Sequence, residues 1–463
     1  MGAQVKQKVT AVFDVGKTNK KFFLFDTKYR TVYKEYTSIR EIVDEDGFPT
    51  EDIFALQDWI KSVFNKIVLS DLFDIKSVNF STYGASFIHL DENGEILTPL
   101  YNYLKPIPSK IIDEFKKNYG DVSAETGTPE SGMLNSGMQL YWLKKCQPEV
   151  FKKIKYSLHF PQYISYLFTG IPLSEYTSLG CHTGLWDYNK QDYHSWVYKE
   201  DINMKLPPIV SAQTSLNTVY QEKKIRIGVG IHDSSAALLP FIYSEKQPFL
   251  LVSTGTWSIS LNPFNTEKLS KKDIQNNCLN YMKVDGGRVK ATRFFMGNEY
   301  SLQVKKLSAF FNQNLGFHKT INFDSKLYLK LKNDRHFKFS FEQISVGENT
   351  VEITDLAQFK SYNEAYHQLM IDLMRIQEIT IKNAIGDTKI NKIYIDGGFT
   401  DNDIFIKLMG HCFQNYKVRT TKSPLGSAIG AAMVISKKES NKKFLKKRYV
   451  MRKLSSLKIL NES

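Results

Sequence analysis

Cysteine is scarce in this chain, with only Cys146, Cys181, Cys278 and Cys412 in 463 residues. No C-x-x-C pair and no Cys/His zinc spacing occurs among them. A disulfide framework and a zinc module built from neighbouring ligands are therefore excluded. Four reduced thiols in or near cores is the reading that fits a reducing compartment. Long apolar runs are also missing; none approaches the ~20 residues that a membrane-spanning helix needs. Residues 1–10 are polar, carry Lys6 and Lys8, and lack the apolar stretch of a signal peptide. Lys6 stands where a myristoylation signal has Ser or Thr. A cytoplasmic protein without a membrane partner is expected. Helix-turn-helix, zinc-finger and aromatic RNA-binding motifs are absent as well, so no nucleic-acid partner is expected. The basic excess (62 Lys+Arg against 48 Asp+Glu, net +14) has a local origin. Much of it lies in residues 436–458, SKKESNKKFLKKRYVMRKLSSLK, which reads as a solvated basic tail. A handle for polyanions is the rival reading.

What is present is a globular composition, 42% hydrophobic and 24% charged, over a length that calls for two large domains or three modest ones. Residues 11–26, AVFDVGKTNKKFFLFD, read as strand, Gly-Lys-Thr-Asn turn, strand: a β-hairpin. Residues 249–261, FLLVSTGTWSISL, repeat the pattern around Thr254-Gly255-Thr256. Two hairpins with small tips, about one domain apart, point to two similar α/β domains facing across a cleft, where ligand pockets tend to form. Residues 78–80 and 87–90 read as strands, and 138–145 and 162–167 as helices. The helix opening at Asp233 is expected to stop near Pro240. Residues 363–385 carry Leu369, Leu373, Ile376 and Ile379 at helical spacing. Residues 392–395 form a strand running into Asp396-Gly397-Gly398 and a helix over 403–412. Residues 426–432, GSAIGAA, read as a tightly packed small-residue helix. The expected layout is 1–243, 244–437 and a basic tail over 438–463.

Several segments suit phosphoryl transfer, which needs phosphate cradles, a hard cation and a group to position the attacking hydroxyl. The first tip offers Gly16, Lys17, Thr18, Asn19 and Lys21 to phosphate oxygens, and Asp14 to Mg²⁺, an ion of oxygen ligands. An ordinary Asp-Gly turn is the bland alternative. It is not a Walker A loop, which requires G-x-x-x-x-G-K-[ST] before a helix. Gly255 and Thr256 offer a second cradle. Asp233, in GIHDSSAA, can be a helix N-cap or a general base worth roughly 10²- to 10⁴-fold. The helix end would hold its carboxylate ionised. Gly397 and Gly398 let a ring or phosphate approach the backbone, and Asn402 can reach an adenine edge.

In this order the segments resemble the FGGY carbohydrate kinases of the ribonuclease H-like, or actin-like, superfamily. AVFDVGKTNKK is similar to the first phosphate motif, GIHDSSAA to the segment bearing the catalytic base, and LVSTGTWSISL to the second phosphate motif. IYIDGGFTDNDIF resembles the adenosine motif, and SPLGSAIGAAM the helix that closes that site. FPQYISYLFTG with SEYTSLGCHTGLWD resembles the Leu-Thr-Gly region. The resemblance implies two ribonuclease H-like domains and an ATP- and Mg²⁺-dependent kinase acting on a small sugar. Asp233 would be its base, and Asp14 with Asp233 its metal site. Thr18, Asn19 and Lys21 would line the phosphates with Gly255 and Thr256, while Gly397, Gly398 and Asn402 would face adenosine. Thr82, Tyr83, Gly84 and Ala85, with His232 beside the base, would contact the sugar, mainly in the first domain. Three features depart from the pattern. Lys17 replaces a small hydroxyl residue, and an added phosphate contact is expected from it. Ser86 in TYGASF replaces the Asp of rhamnulokinases, although LVSTGTWS leans toward the rhamnulose and fuculose branch. RFFMGNE, residues 293–299, fits neither. A nucleotide-dependent sensor on the same fold is the rival reading. The sequence leaves the sugar and the assembly open, a homodimer being one arrangement.

Overall fold

The computed structural model describes residues 6–333, 336, 338–344, 353–421, 425–436, 444, 445, 447, 449 and 451–454. Its frame is two mixed sheets. In the first, Gln7–Val15 and Lys20–Asp26 pair antiparallel, and the turn closes with the Gly16 N–H donating to the Asn19 carbonyl at 3.0 Å. Thr31–Thr37 extends this meander on one side. On the other, Phe73–Thr82 runs parallel to Gln7–Val15, followed by Lys223–Gly228 and Ser215–Tyr220. The central strand is buried continuously from Ala11 to Val15 because both faces are covered.

The second sheet repeats this plan. Phe249–Thr254 pairs antiparallel with Ser258–Asn262, and Arg288–Phe294 and Cys278–Met282 continue the meander. Lys392–Gly397 and Lys417–Thr420 run parallel on the opposite side. Both hairpins and the duplicated α/β plan read from the sequence are therefore present. The long helix Tyr362–Ile385 is capped by Ser361, which accepts from the Glu364 N–H, and buries Leu369, Leu373 and Ile376 against the second sheet.

One expectation fails at Pro240. The helix does not stop there but runs Asp233–Ser244. Proline removes the amide that would bond the Ala236 carbonyl and crowds that carbonyl, yet the last turn is retained. At that carbonyl the helix Gly426–Ser436 packs so closely that a Cβ on Gly430 would lie 1.8 Å from the Ala236 oxygen. These two helices carry one apolar cluster, including Phe23, Leu238, Leu251 and Met433, that runs through both halves. The expected basic tail differs too. Leu445 and Tyr449 are buried, with Tyr449 5.4 Å from the Phe241 ring, and Arg452–Lys453 pairs antiparallel with Lys417–Thr420. Apolar residues spaced among the lysines find the second half's open edge. The remainder of 438–463 lies outside the described residues.

Candidate active site

Register brings together segments far apart in the chain. Ile231–His232 is a short strand parallel to the end of Phe73–Thr82, with Ile231 beside Ser81 and His232 beside Thr82. Tyr83, Gly84 and Ala85 therefore emerge next to His232 and Asp233. The approach demands glycine at 84, where a Cβ would stand 2.9 Å from the His232 ring.

Three cavities follow one another through the cleft. The innermost, about 90 Å³, is lined by Tyr83, Gly84, Ala85, His232, Asp233 and Ser234, and also by Tyr103, His182, Trp257, Tyr281 and Arg293. The second, about 250 Å³, has Asp233 and Ser234 in its wall again, with Lys21, Thr254, Asp396, Gly397, Gly398 and Ser427. The third, about 690 Å³, shares Gly398 with the second and adds Gly255, Thr256, Gly297, Tyr300, Tyr366 and Asn402. Asp233 thus divides the first cavity from the second.

Asp233 is the first residue of its helix; His232 holds the cap position. Its carboxylate accepts from the Ser234 N–H at 2.6 Å and faces the Ser234 hydroxyl at 3.3 Å. About a third of the side chain faces the cleft. The helix end was expected to hold this group ionised. Burial outweighs the Ser234 hydrogen bonds and the Lys21 charge and pushes its pKa up to about 6. At neutral pH it is still largely ionised and is a stronger proton acceptor. The His232 Nε2 lies 3.2 Å from Asp233 Oδ1 and 3.1 Å from Cys181 Sγ. Burial pushes this imidazole down to about 3, so the ring is neutral and makes no ion pair with Asp233. Cys181, His182 and His232 converge although no sequence spacing announced them.

Asp14 is buried, lies 3.7 Å from the Lys21 Nζ and feels the Asp233 charge. Asp396 accepts from the Thr421 hydroxyl and the Gly397 N–H. Burial raises both acids above the ordinary carboxylate range. Three carboxyl groups around one lysine leave a deficit of positive charge, which fits a hard divalent cation. Their oxygens do not converge as a single close ligand set, which suits Mg²⁺, an ion that keeps several waters. Asp396 joins Asp14 and Asp233 as a residue able to hold it, directly or through water.

Other predicted residues are placed differently from expectation. Lys17 bonds Glu41 at 2.7 Å and so already has a counter-charge. The Gly16 and Gly255 amides close their own turns, onto Asn19 and Trp257, and are not free donors. Gly16, Lys17, Thr18 and Asn19 do not line the three cavities, whereas Lys21, Gly255, Thr256, Gly397 and Gly398 do. Thr82 is fully buried, with its hydroxyl on the Tyr83 carbonyl, and does not reach the inner cavity. Asn402 lines the outer cavity, but its amide is already engaged: Oδ1 caps the helix at Phe405 and Nδ2 donates to the Tyr366 hydroxyl at 2.8 Å. The second half's share of the inner cavity, Trp257, Tyr281 and Arg293, was not foreseen. The only sequence signal was that the segment beginning at Arg293 fitted no pattern. Lys20, buried on Glu51 at 2.7 Å, was also missed; its Nζ donates to the Gly16 and Lys17 carbonyls and so shapes the first tip.

Comparison with known proteins agrees with this geometry. The N-terminal domain of the FGGY family of carbohydrate kinases matches residues 9–239. The FGGY carbohydrate kinase C-terminal domain matches residues 246–315. A rhamnulokinase of Halalkalibacterium halodurans is 27% identical over 238 residues, 47% of this chain and 48% of that protein. The chain thus spans about half the length of the curated relatives it matches. A carbohydrate kinase from Novosphingobium aromaticivorans superposes with a TM-score of 0.76 at 21% identity, covering 98% of this chain and 96% of that one. Plasmodium falciparum glycerol kinase with ADP superposes at 0.69 with 17% identity, covering 93% and 89%. The fold is the actin-like one of these kinases. The two matched segments supply residues of the cleft that holds Asp233, and the chain belongs to the FGGY family of carbohydrate kinases.

Proposed function

We propose that this protein transfers the γ-phosphoryl group of ATP to a hydroxyl of a small sugar, with Asp233 as general base. The observation that carries this reading is the position of Asp233 in the wall between the inner cavity and the cavity of Lys21. A hydroxyl bound on the inner side would meet the carboxylate before it met the phosphate. Residues 1–243 contribute most of the sugar side and 244–437 the nucleotide side, with Trp257, Tyr281 and Arg293 reaching back to the sugar. Adenosine would occupy the outer cavity, against Gly398 and Tyr366. Mg²⁺ held by Asp14, Asp233 and Asp396 would neutralise charge developing on the phosphates. Lys21 supplies a fixed positive charge on the same side.

The test is ADP release with Mg²⁺-ATP over ketoses, deoxyketoses, polyols and sugar acids. Turnover of one class is expected. Asp233→Ala should still bind ATP and lose roughly 10²- to 10⁴-fold in turnover. Wild-type-like turnover in that variant would remove Asp233 from the mechanism. Silence across the panel, with ATP bound, would favour a nucleotide sensor.

A further inference from the structure

Among the described residues, five lysine and arginine side chains are buried: Lys20, Lys105, Lys290, Arg293 and Lys392. Four of them have a carboxylate. Lys20 pairs with Glu51, Lys105 with Asp44, Lys290 with Asp273 and Lys392 with Glu245. Arg293, 8% exposed, has none within 4.0 Å among the described residues. It enters the inner cavity from the strand Arg288–Phe294, where it lies opposite Ile259. Its guanidinium stands 5.3 Å from the Trp257 ring centre and donates to the Ser131 hydroxyl at 3.1 Å. Burying an unpaired cation is costly, and such a group normally has an anionic partner.

The inner cavity does not provide that partner. Its one carboxylate, Asp233, lies in the wall shared with the second cavity, and the cation acting on it is Lys21, not Arg293. The groups that feel the Arg293 charge are Tyr103, Cys181, His182 and Tyr281. Burial holds the thiol and the two phenols in their neutral forms at working pH. His182, also neutral, donates from Nδ1 to the Leu134 carbonyl at 2.9 Å and leaves the anion to Arg293. Nor does Arg293 line the cavity of Lys21, so the phosphates of the nucleotide are not its ligand.

We propose that the missing partner is the substrate: the protein acts on a small sugar acid, of the aldonate or 2-ketoaldonate class, whose carboxylate is received by Arg293. This rests on the kinase reading above and deepens it. Arg293 presents a planar fork of N–H groups, only one of which is used by Ser131, and a carboxylate can accept two of them side by side. The polyol chain would then run from Arg293 toward Asp233, with its terminal hydroxyl at the carboxylate that takes the proton. Tyr103, Trp257 and Tyr281 form the apolar walls that exclude water and strengthen the charge pair.

The experiment compares matched pairs in the ADP-release assay. Gluconate, galactonate and xylonate are set against glucitol, galactitol and xylitol, which replace the carboxylate by a hydroxymethyl group. To these are added 2-ketogluconate and fructose. At least one acid should exceed its neutral counterpart by about 100-fold in kcat/KM, and Arg293→Gln should raise the KM for that acid by about 100-fold, as expected when one member of a buried charge pair is removed. The KM for ATP should be unchanged, and Arg293→Lys should recover part of the loss. If a neutral sugar is the better substrate and Arg293→Gln leaves its KM unaltered, the acid proposal falls and the kinase reading stands. If neither class, nor any sugar of the wider panel, is turned over by folded, ATP-binding protein, both fall. Should Arg293→Gln fail to fold, the wild-type preference between acid and matched neutral sugar decides alone.

Discussion

The carbonyl oxygen of Ala236 occupies the space where a side chain on Gly430 would begin, 1.8 Å from an ideal Cβ. Pro240 leaves this carbonyl without its usual helical donor. The two helices touch there, and the halves of the molecule meet through them. Gly430→Ala cannot be absorbed by rotating a side chain, because the obstacle is backbone. It should cost about 3 kcal/mol or more, as overpacking of a close contact does. Gly316→Ala, with nothing within 4 Å of its Cβ, is the control and should be near neutral. Thermal unfolding of both variants checks this.

Gly397 and Gly398 are neighbours with opposite requirements. At Gly397, φ is +97° and a Cβ would lie 1.8 Å from the Thr254 carbonyl oxygen. Gly397→Ala should therefore lose about 3 kcal/mol of stability. Gly398 has open space around its Cβ position and lines both outer cavities. Gly398→Ala should keep its melting temperature and weaken ATP binding by about tenfold, through a methyl group placed where the ligand approaches. Calorimetric titration with ATP, beside thermal unfolding, separates the two roles.

Lys20 and Glu51 are both almost completely buried and 2.7 Å apart. Removing one partner leaves the other charge stranded, so Lys20→Met should destabilise the protein by about 3–5 kcal/mol. Since Lys20 also holds the Gly16 and Lys17 carbonyls, the first hairpin tip should loosen. Faster amide exchange at residues 16–19 is the specific sign. The double variant Lys20→Met with Glu51→Leu should recover much of the loss, because no unpaired charge is left.

The pH dependence follows from Asp233, whose carboxyl burial pushes up to about 6. A base must be ionised, so kcat/KM should fall about tenfold per unit below that value. The stability effect has the opposite sense from that of a salt-bridged acid. With the folded value above the unfolded one of about 3.9, ionisation opposes folding, and the cost grows as pH rises through about 6. Asp233→Asn should therefore match wild type near pH 4 and exceed it at pH 8. The gain should be about 1 kcal/mol, after discounting for the third of the side chain that faces water. Denaturant titrations at the two pH values measure it.

The local signals proved legible wherever the backbone itself carried them. Both hairpins were readable because an apolar run, a small turn and a second apolar run define a hairpin without help from the rest of the chain. The helix over residues 362–385 was readable from its spacing, and Asp233 from its place where strand meets helix. Lys21, Gly397 and Gly398 followed from the turns that hold them. Tertiary packing decided the rest. Pro240 reads as a stop, yet the helix runs on to Ser244, and Gly430 of a distant segment packs on the Ala236 carbonyl that proline leaves without its amide. Lys17 reads as a phosphate ligand, yet it pairs with Glu41, which no local pattern links to it. Arg293 enters the inner cavity because the second sheet's meander points it across the cleft, and its lack of a carboxylate is a property of the whole assembly of neighbours. A sequence determines the elements whose hydrogen bonds close within a few residues. Which charges end up paired, and which cavity a side chain enters, is set only when distant segments share one core.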